Sequence, residues 1–120
     1  MGPSFLVFIF AQAMSVVLIS SEVFAQTRIS FPQGSYCGQY SGDFRKTKAF
    51  VLNLGRGQTL TSRNLSTGTQ WDLYVNGPAG SVPASRDRSD QLSYRIPVTG
   101  DYYIKVDSST PYSSVEFCAY

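Results

Sequence analysis

From residue 28 onward the chain alternates apolar and polar side chains in short runs cut by Gly, Pro, Asn, Asp and Ser. Arg28 to Phe31 is a brief run ended by Pro32-Gln33-Gly34. Ser35 to Phe44 sets Tyr36, Tyr40 and Phe44 on one side, with Cys37, Gln39, Ser41 and Asp43 on the other. Thr47 to Leu54 aligns Phe50, Leu52 and Leu54, and Gly55-Arg56-Gly57 turns the chain into Gln58 to Asn64. Trp71, Leu73 and Val75 alternate before Asn76-Gly77-Pro78. Leu92, Tyr94 and Ile96 follow, then Tyr102 to Val106, then Ser113 to Tyr120 with Val115, Phe117 and Ala119. Period two with β-branched and aromatic residues at the apolar positions predicts strands. No window of eleven residues after the first segment carries the i, i+3, i+4 pattern of an amphipathic helix. Seven or eight strands at this spacing predict an all-β sandwich or barrel. One polar face per strand predicts antiparallel sheets.

The same alternation assigns side chains to faces. In Gly100-Asp101-Tyr102-Tyr103-Ile104-Lys105-Val106, Tyr102, Ile104 and Val106 share one face and Tyr103, Lys105 and Asp107 the other. The two tyrosines therefore point opposite ways. Tyr102 is expected in the core with its hydroxyl at an edge, and Tyr103 outside, as a packing partner or a binding residue. Trp71, sharing a face with Leu73 and Val75, is expected in the core rather than stacked on a sugar.

The N-terminal stretch differs from the rest. Phe5 to Ile19 is fifteen residues without a charge, followed by Ser20-Ser21-Glu22 and then Val23-Phe24-Ala25. This pattern predicts a signal peptide over residues 1–25, cleaved after Ala25. The apolar run is shorter than the ~20 residues of a membrane span, so no stable span is expected once the signal is removed. Met1-Gly2-Pro3-Ser4 lacks the usual basic residue, which an upstream start or an uncleaved anchor would explain. Residues 26–120 then form a single domain, expected in the periplasm or secreted. Glu22 is the one charge in the signal, so the ten basic and seven remaining acidic residues leave a net charge of +3. That mild, dispersed excess suits an acidic partner and is no nucleic-acid footprint.

Cys37 and Cys118 are the two cysteines. An exported chain meets an oxidising compartment, so a structural disulfide is expected. Closing roughly 80 residues of chain is worth about 4 to 5 kcal/mol in the chain-entropy model. If Val115, Phe117 and Ala119 face inward, Cys118 faces outward. Cys37 does likewise if Tyr36, Tyr40 and Phe44 face inward. Both would then lie on the outer face of one sheet, on paired first and last strands.

The stretches Phe50-Val51-Leu52-Asn53-Leu54, Gly57-Gln58-Thr59-Leu60-Thr61, Asp72-Leu73-Tyr74-Val75, Gly77-Pro78-Ala79-Gly80 and Gly100 to Val106 stand in an order that resembles the bacterial pre-peptidase C-terminal domain. The chain is also similar to periplasmic inhibitors of g-type lysozyme, through an entry like Phe31-Pro32-Gln33-Gly34-Ser35-Tyr36. The resemblance covers about residues 28–120. It implies a β-sandwich of jelly-roll type and, for a free-standing domain, an inhibitor-like role. Some pre-peptidase domains bind calcium through acidic residues near their start; here only Asp43 stands in that region, so no metal site is expected.

Candidate chemistry is sparse. The chain has no histidine, which removes a Ser-His-Asp triad and most zinc sites. Asp43, Asp72, Asp87, Asp90, Asp101, Asp107 and Glu116 are scattered, whereas a glycosidase opposes two carboxylates across a cleft. No enzyme activity and no cofactor are expected. The most unusual segment is Ser81 to Asp90, where Arg86, Asp87 and Arg88 form a charged tip able to enter an acidic cleft. Its bland alternative is a solvated loop, and the same holds more strongly for Arg45-Lys46-Thr47-Lys48. The expected role is a monomeric, exported, non-catalytic binding protein of the cell envelope, with a lysozyme as protein partner. The alternative is a module for cell-wall glycan or adhesion, using Tyr74, Tyr94 or Tyr103.

Overall fold

The computed structural model describes residues 26–120, and the signal peptide expected over residues 1–25 lies outside the described residues. Ten strands follow one another: β1 (Gln26–Arg28), β2 (Cys37–Asp43), β3 (Thr47–Leu54), β4 (Thr59–Asn64), β5 (Gln70–Gly77), β6 (Gly80–Ser81), β7 (Ala84–Arg88), β8 (Gln91–Arg95), β9 (Gly100–Ser108) and β10 (Tyr112–Ala119). They form two five-stranded sheets, β1-β3-β9-β5-β6 and β2-β10-β4-β8-β7. The chain passes from one sheet to the other at most connections, and the described residues contain no helix. The pairings are antiparallel, with one exception: β1 runs parallel to β3. Ile29 continues that edge, donating its N–H to Val51 O at 3.0 Å while its side chain is buried.

The strand count exceeds the seven or eight expected from alternation. The additional elements include β6, only two residues long, and β7, whose five residues are all exposed. An edge strand needs a backbone ladder rather than an apolar face. The Ser81–Asp90 segment is accordingly no free loop: β7 pairs with β8 along Ala84↔Tyr94, Ser85↔Ser93 and Arg86↔Leu92.

The core lies between the sheets. Phe50 on β3 meets Phe117 on β10 at 5.2 Å between ring centroids, Tyr40 at 5.5 Å and Phe44 at 5.9 Å. Such tilted and edge-on pairs add about 0.5–1.5 kcal/mol each beyond their buried area. Leu52, Leu54, Leu60, Ile96, Ile104, Val106 and Val115 complete the layer. Tyr102 is fully buried, as its parity requires, and its hydroxyl donates to Val98 O at 2.5 Å. The Tyr102 ring lies directly on Gly77: a methyl group there would sit 2.1 Å from a ring carbon.

Parity fails at two aromatic residues. Trp71 is 40% exposed, and Leu73 also faces solvent, while Val75 is buried. The register of β5 against β9 shifts between Asp72 and Tyr74, so Leu73 is an extra residue. A bulge of this kind reverses the alternation, leaving Trp71 and Leu73 outside and turning Asp72 inward. Tyr36 is exposed too, because β2 begins after it, and its ring lies 5.8 Å from that of Tyr120.

The cysteines pair as their parity indicates. Cys37 and Cys118 stand directly opposite in the β2–β10 register, with Cα atoms 4.0 Å apart, and are joined by a disulfide.

Two stability measurements follow from this packing. Gly77→Ala forces the Tyr102 ring to move and is expected to cost about 1–3 kcal/mol in urea unfolding. Replacing both cysteines with alanine is expected to cost about 2–5 kcal/mol, with an all-β circular dichroism spectrum retained under native conditions.

Candidate functional site

The two ends of the sandwich differ in chemistry. One end carries the disulfide at the start of β2 and the end of β10. The other gathers the β2–β3 turn, the β4–β5 and β9–β10 connections and the tip of the β7–β8 hairpin. At this second end a recess of about 200 Å3 opens between the sheets, with Trp71, Asp72, Gln70, Arg86, Asp90 and Gln91 among its lining residues. Trp71 also borders a second recess, of about 370 Å3, shared with Arg45 and Lys46.

Asp72 is the unusual group of the first recess. The β5 bulge turns it toward the core, where Tyr94 Oη donates to Oδ2 at 2.6 Å and Ser62 Oγ donates to Oδ1 at 3.3 Å. Burial pushes the Asp72 carboxyl above its ordinary range, against the opposing effects of these hydrogen bonds and of the nearby Arg86 guanidinium. Burial and the Asp72 charge also push the Tyr94 hydroxyl strongly upward, so it stays protonated as the donor. Tyr94 is thus a core residue and not an exposed stacking tyrosine, a correction imposed by its inward position on β8. Arg86, across the recess, donates from Nη1 to Ser89 O at 3.2 Å, which curls its side chain over the hairpin tip.

The remaining candidates are placed apart. A second bulge shifts the β7–β8 register between Arg86 and Arg88, setting both Asp87 and Arg88 opposite Gln91. Arg86 stands opposite Leu92, whose side chain packs against the core, and so lies on the inner side at the sheet edge. Asp87 accepts from Ser93 Oγ at 2.9 Å and from Gln91 Nε2 at 3.2 Å. Arg88 donates to Gln91 Oε1 at 2.6 Å and stands 3.7 Å from Asp90. Arg86 therefore joins the recess while Asp87 and Arg88 bind along the outer side of the hairpin. Tyr103 lies elsewhere, on the outer face of the first sheet between Val51 and Asn76. Near it, Arg28 donates to Asp101 at 3.0 Å, and this hydrogen bond, with one from Asn53, holds the Asp101 carboxyl below its ordinary range.

Asp72 and Trp71 are the site residues that strand alternation hides. Trp71-Asp72-Leu73 fits plain alternation, so the sequence itself carries no sign of the bulge. Metal-ligand atoms cluster at Cys37, Glu116 and Cys118, but the two sulfurs are bonded to each other and Glu116 pairs with Arg63 at 2.9 Å. That donor set does not fit a bound ion. The geometry offers a small all-β domain with a charged, Trp-bearing end.

No protein-family model matches the chain, and no curated protein sequence matches it. Among solved structures, the fold is similar to that of a PliG mutant from Escherichia coli, a periplasmic lysozyme inhibitor of g-type lysozyme. The identity is 20%, the TM-score 0.63, and the match covers 82% of this chain and 100% of that one. PliG of Salmonella Typhimurium is 22% identical with a TM-score of 0.59, over 82% of this chain and 100% of that one. The pre-peptidase C-terminal domain of collagenase from Bacillus anthracis is 10% identical with a TM-score of 0.58, over 84% and 100%. At these identities the likeness is one of fold, and it matches both resemblances read from the sequence.

The raised Asp72 carboxyl sets a pH dependence. The folded chain holds this proton more tightly than the unfolded chain. Its stabilising effect is therefore full below the unfolded carboxylate value of ~3.9 and is lost as pH rises through the raised folded value. Urea unfolding of wild type and Asp72→Asn from about pH 3 to 7 is expected to show wild type losing ground to the variant as pH increases across that window.

Proposed function

We propose that this chain is an exported, monomeric, non-catalytic binding protein of the cell envelope, and that its partner is a g-type lysozyme. The observation that carries the proposal is the sandwich itself, which spans the whole length of two such inhibitors described above. A periplasmic address comes from the same analogy. The absence of histidine from the chain supports a role without catalysis. The hairpin tip supplies the contact: Arg86 lines the Trp71 recess, while Asp87 and Arg88 lie on the outer side of the hairpin. A lysozyme cleft carries catalytic carboxylates, and an arginine set against one forms a charge-assisted, two-pronged hydrogen bond.

A second reading rests on the outer face of the first sheet. Tyr103, Tyr74, Leu73 and Trp71 are each exposed there by more than a third of their surface. Aromatic side chains on an exposed sheet face suit a cell-wall glycan.

In a lysis assay, purified residues 26–120 at micromolar concentration are expected to slow g-type lysozyme. Arg86→Ala is expected to weaken inhibition at least tenfold, equivalent to about 1.4 kcal/mol, and Arg88→Ala to weaken it less. Retained inhibition in Arg86→Ala/Arg88→Ala would move the contact off the hairpin. An absence of inhibition, combined with saturable glycan binding that Tyr103→Ala abolishes, would select the second reading.

A further inference from the structure

The turn between β2 and β3 carries two consecutive non-glycine residues in the left-handed region, Arg45 at φ 48° and Lys46 at φ 85°. Two positive φ values in succession match the φ pattern of a primed type I turn, for which Asn-Gly is the favoured pair. Long, unbranched cationic residues gain nothing from that backbone and are disfavoured in it. The turn is nevertheless held from several sides. Asp43 Oδ1 accepts from Arg45 N at 2.9 Å, Lys46 O accepts from Ser108 N at 2.7 Å, and Pro111 O accepts from Phe44 N at 2.6 Å. Backbone in sparsely populated regions persists where surrounding structure imposes it, and it concentrates at functional positions.

The strained turn faces outward. The Arg45 side chain is 88% exposed; its Nε meets Asp43 at 3.3 Å and its two terminal nitrogens have no partner among the described residues. Lys46 is exposed, and its ammonium has no ion-pair or hydrogen-bond partner among the described residues. Trp71, Ser109 and Pro111 close the second recess beside them. An exposed tryptophan beside an arginine whose two terminal nitrogens are open to a partner has the composition of an interface hot spot, and the Lys46 ammonium adds to its positive charge. Its charge selects an anionic surface, and the guanidinium fork matches a carboxylate.

We propose that Arg45, Lys46 and Trp71 form a contact surface for a protein partner presenting clustered carboxylates, and that the turn keeps its strained backbone in order to hold these two cations beside the indole. The lysozyme reading above supplies one such partner, but the surface is defined by carboxylate recognition and stands without it. Trp71 is the sole tryptophan of the chain, so its fluorescence reports engagement of this end directly.

The test uses Arg45→Asn/Lys46→Gly, which installs the pair the backbone favours. The charge-matched control is Arg56→Asn/Arg95→Asn, which removes two exposed cations at the disulfide end of the sandwich. Trp71 emission is titrated with poly-L-glutamate at low and moderate salt, and thermal midpoints are recorded. Wild type is expected to bind saturably and in a salt-sensitive way. The Asn-Gly variant is expected to bind at least tenfold more weakly yet melt several degrees higher, because the strain is relieved, while the control keeps most of its affinity. The proposal is overturned if wild type leaves Trp71 emission unchanged, if the Asn-Gly variant binds within twofold of wild type, or if both double variants lose affinity equally. A parallel titration with g-type lysozyme separates the two ideas: binding to poly-L-glutamate with the stated variant pattern but not to lysozyme upholds this surface and removes the lysozyme assignment.

Discussion

Phe50 is the contact on which the two layers depend. It projects from β3 in one sheet and meets Phe117, Tyr40 and Phe44 from the opposing sheet and its exit turn. Among the described residues it is the ring that joins most of this aromatic cluster. Once it is seated, the neighbours of Phe50 along β3 must alternate inward and outward; β9 inherits that alternation through its ladder with β3, and the Phe50–Phe117 contact fixes the inward face of β10 in the other sheet. The position of the disulfide is a consequence. With Phe117 inward, Cys118 is outward, and Cys37 is its direct partner across the β2–β10 pair.

The alternation was legible in the sequence wherever a strand runs without interruption. Tyr102, Ile104 and Val106 are buried and Tyr103 is exposed, as their odd and even positions require. Legibility ends at the two bulges. One extra residue at Leu73 turns Trp71 out and Asp72 in, and one at Asp87 parts Arg86 from Arg88. A bulge leaves no compositional mark that period-two reading detects, because it changes the count of residues and not their character. The elements with the richest polar chemistry are therefore the ones that simple parity misplaces. The fold was readable because burial repeats along many strands, whereas each bulge occurs once.

A solvated turn is what the sequence suggests at Arg45-Lys46, but its left-handed backbone was hidden for a related reason. Turn prediction relies on Gly, Asn, Pro and Asp at the central positions, and here those positions hold two cations. What shapes the backbone is remote in sequence: Ser108, at the end of β9, donates its N–H to Lys46 O, and Pro111 O, in the β9–β10 connection, accepts from Phe44 N. Only Asp43, two residues before Arg45, gives a local cue. A tertiary constraint overrides a local preference at this point, and such disagreements tend to mark functional rather than scaffolding residues.

The separation of tasks between the two ends has an energetic logic. The disulfide closes a sequence separation of 81 residues at one end, removing freedom chiefly from the unfolded chain. The far end bears the costs: a partly buried Asp72 carboxyl, an exposed indole and a strained cationic turn. The exposed ion pairs around it, such as Arg45 with Asp43 and Arg88 with Asp90, contribute little to stability in water. They do, however, restrict where the arginine side chains can swing. Binding loses less entropy when charged side chains are already oriented by a rigid sheet than when they sit on a free loop. A hairpin strand carrying Arg86 and a tertiary-locked turn carrying Arg45 and Lys46 are both preorganised in this sense, and Trp71 stands between them with an apolar surface that water solvates poorly. A stapled sandwich with such an end presents a fixed constellation of charge and indole, which is the preorganisation that the proposed binding role requires.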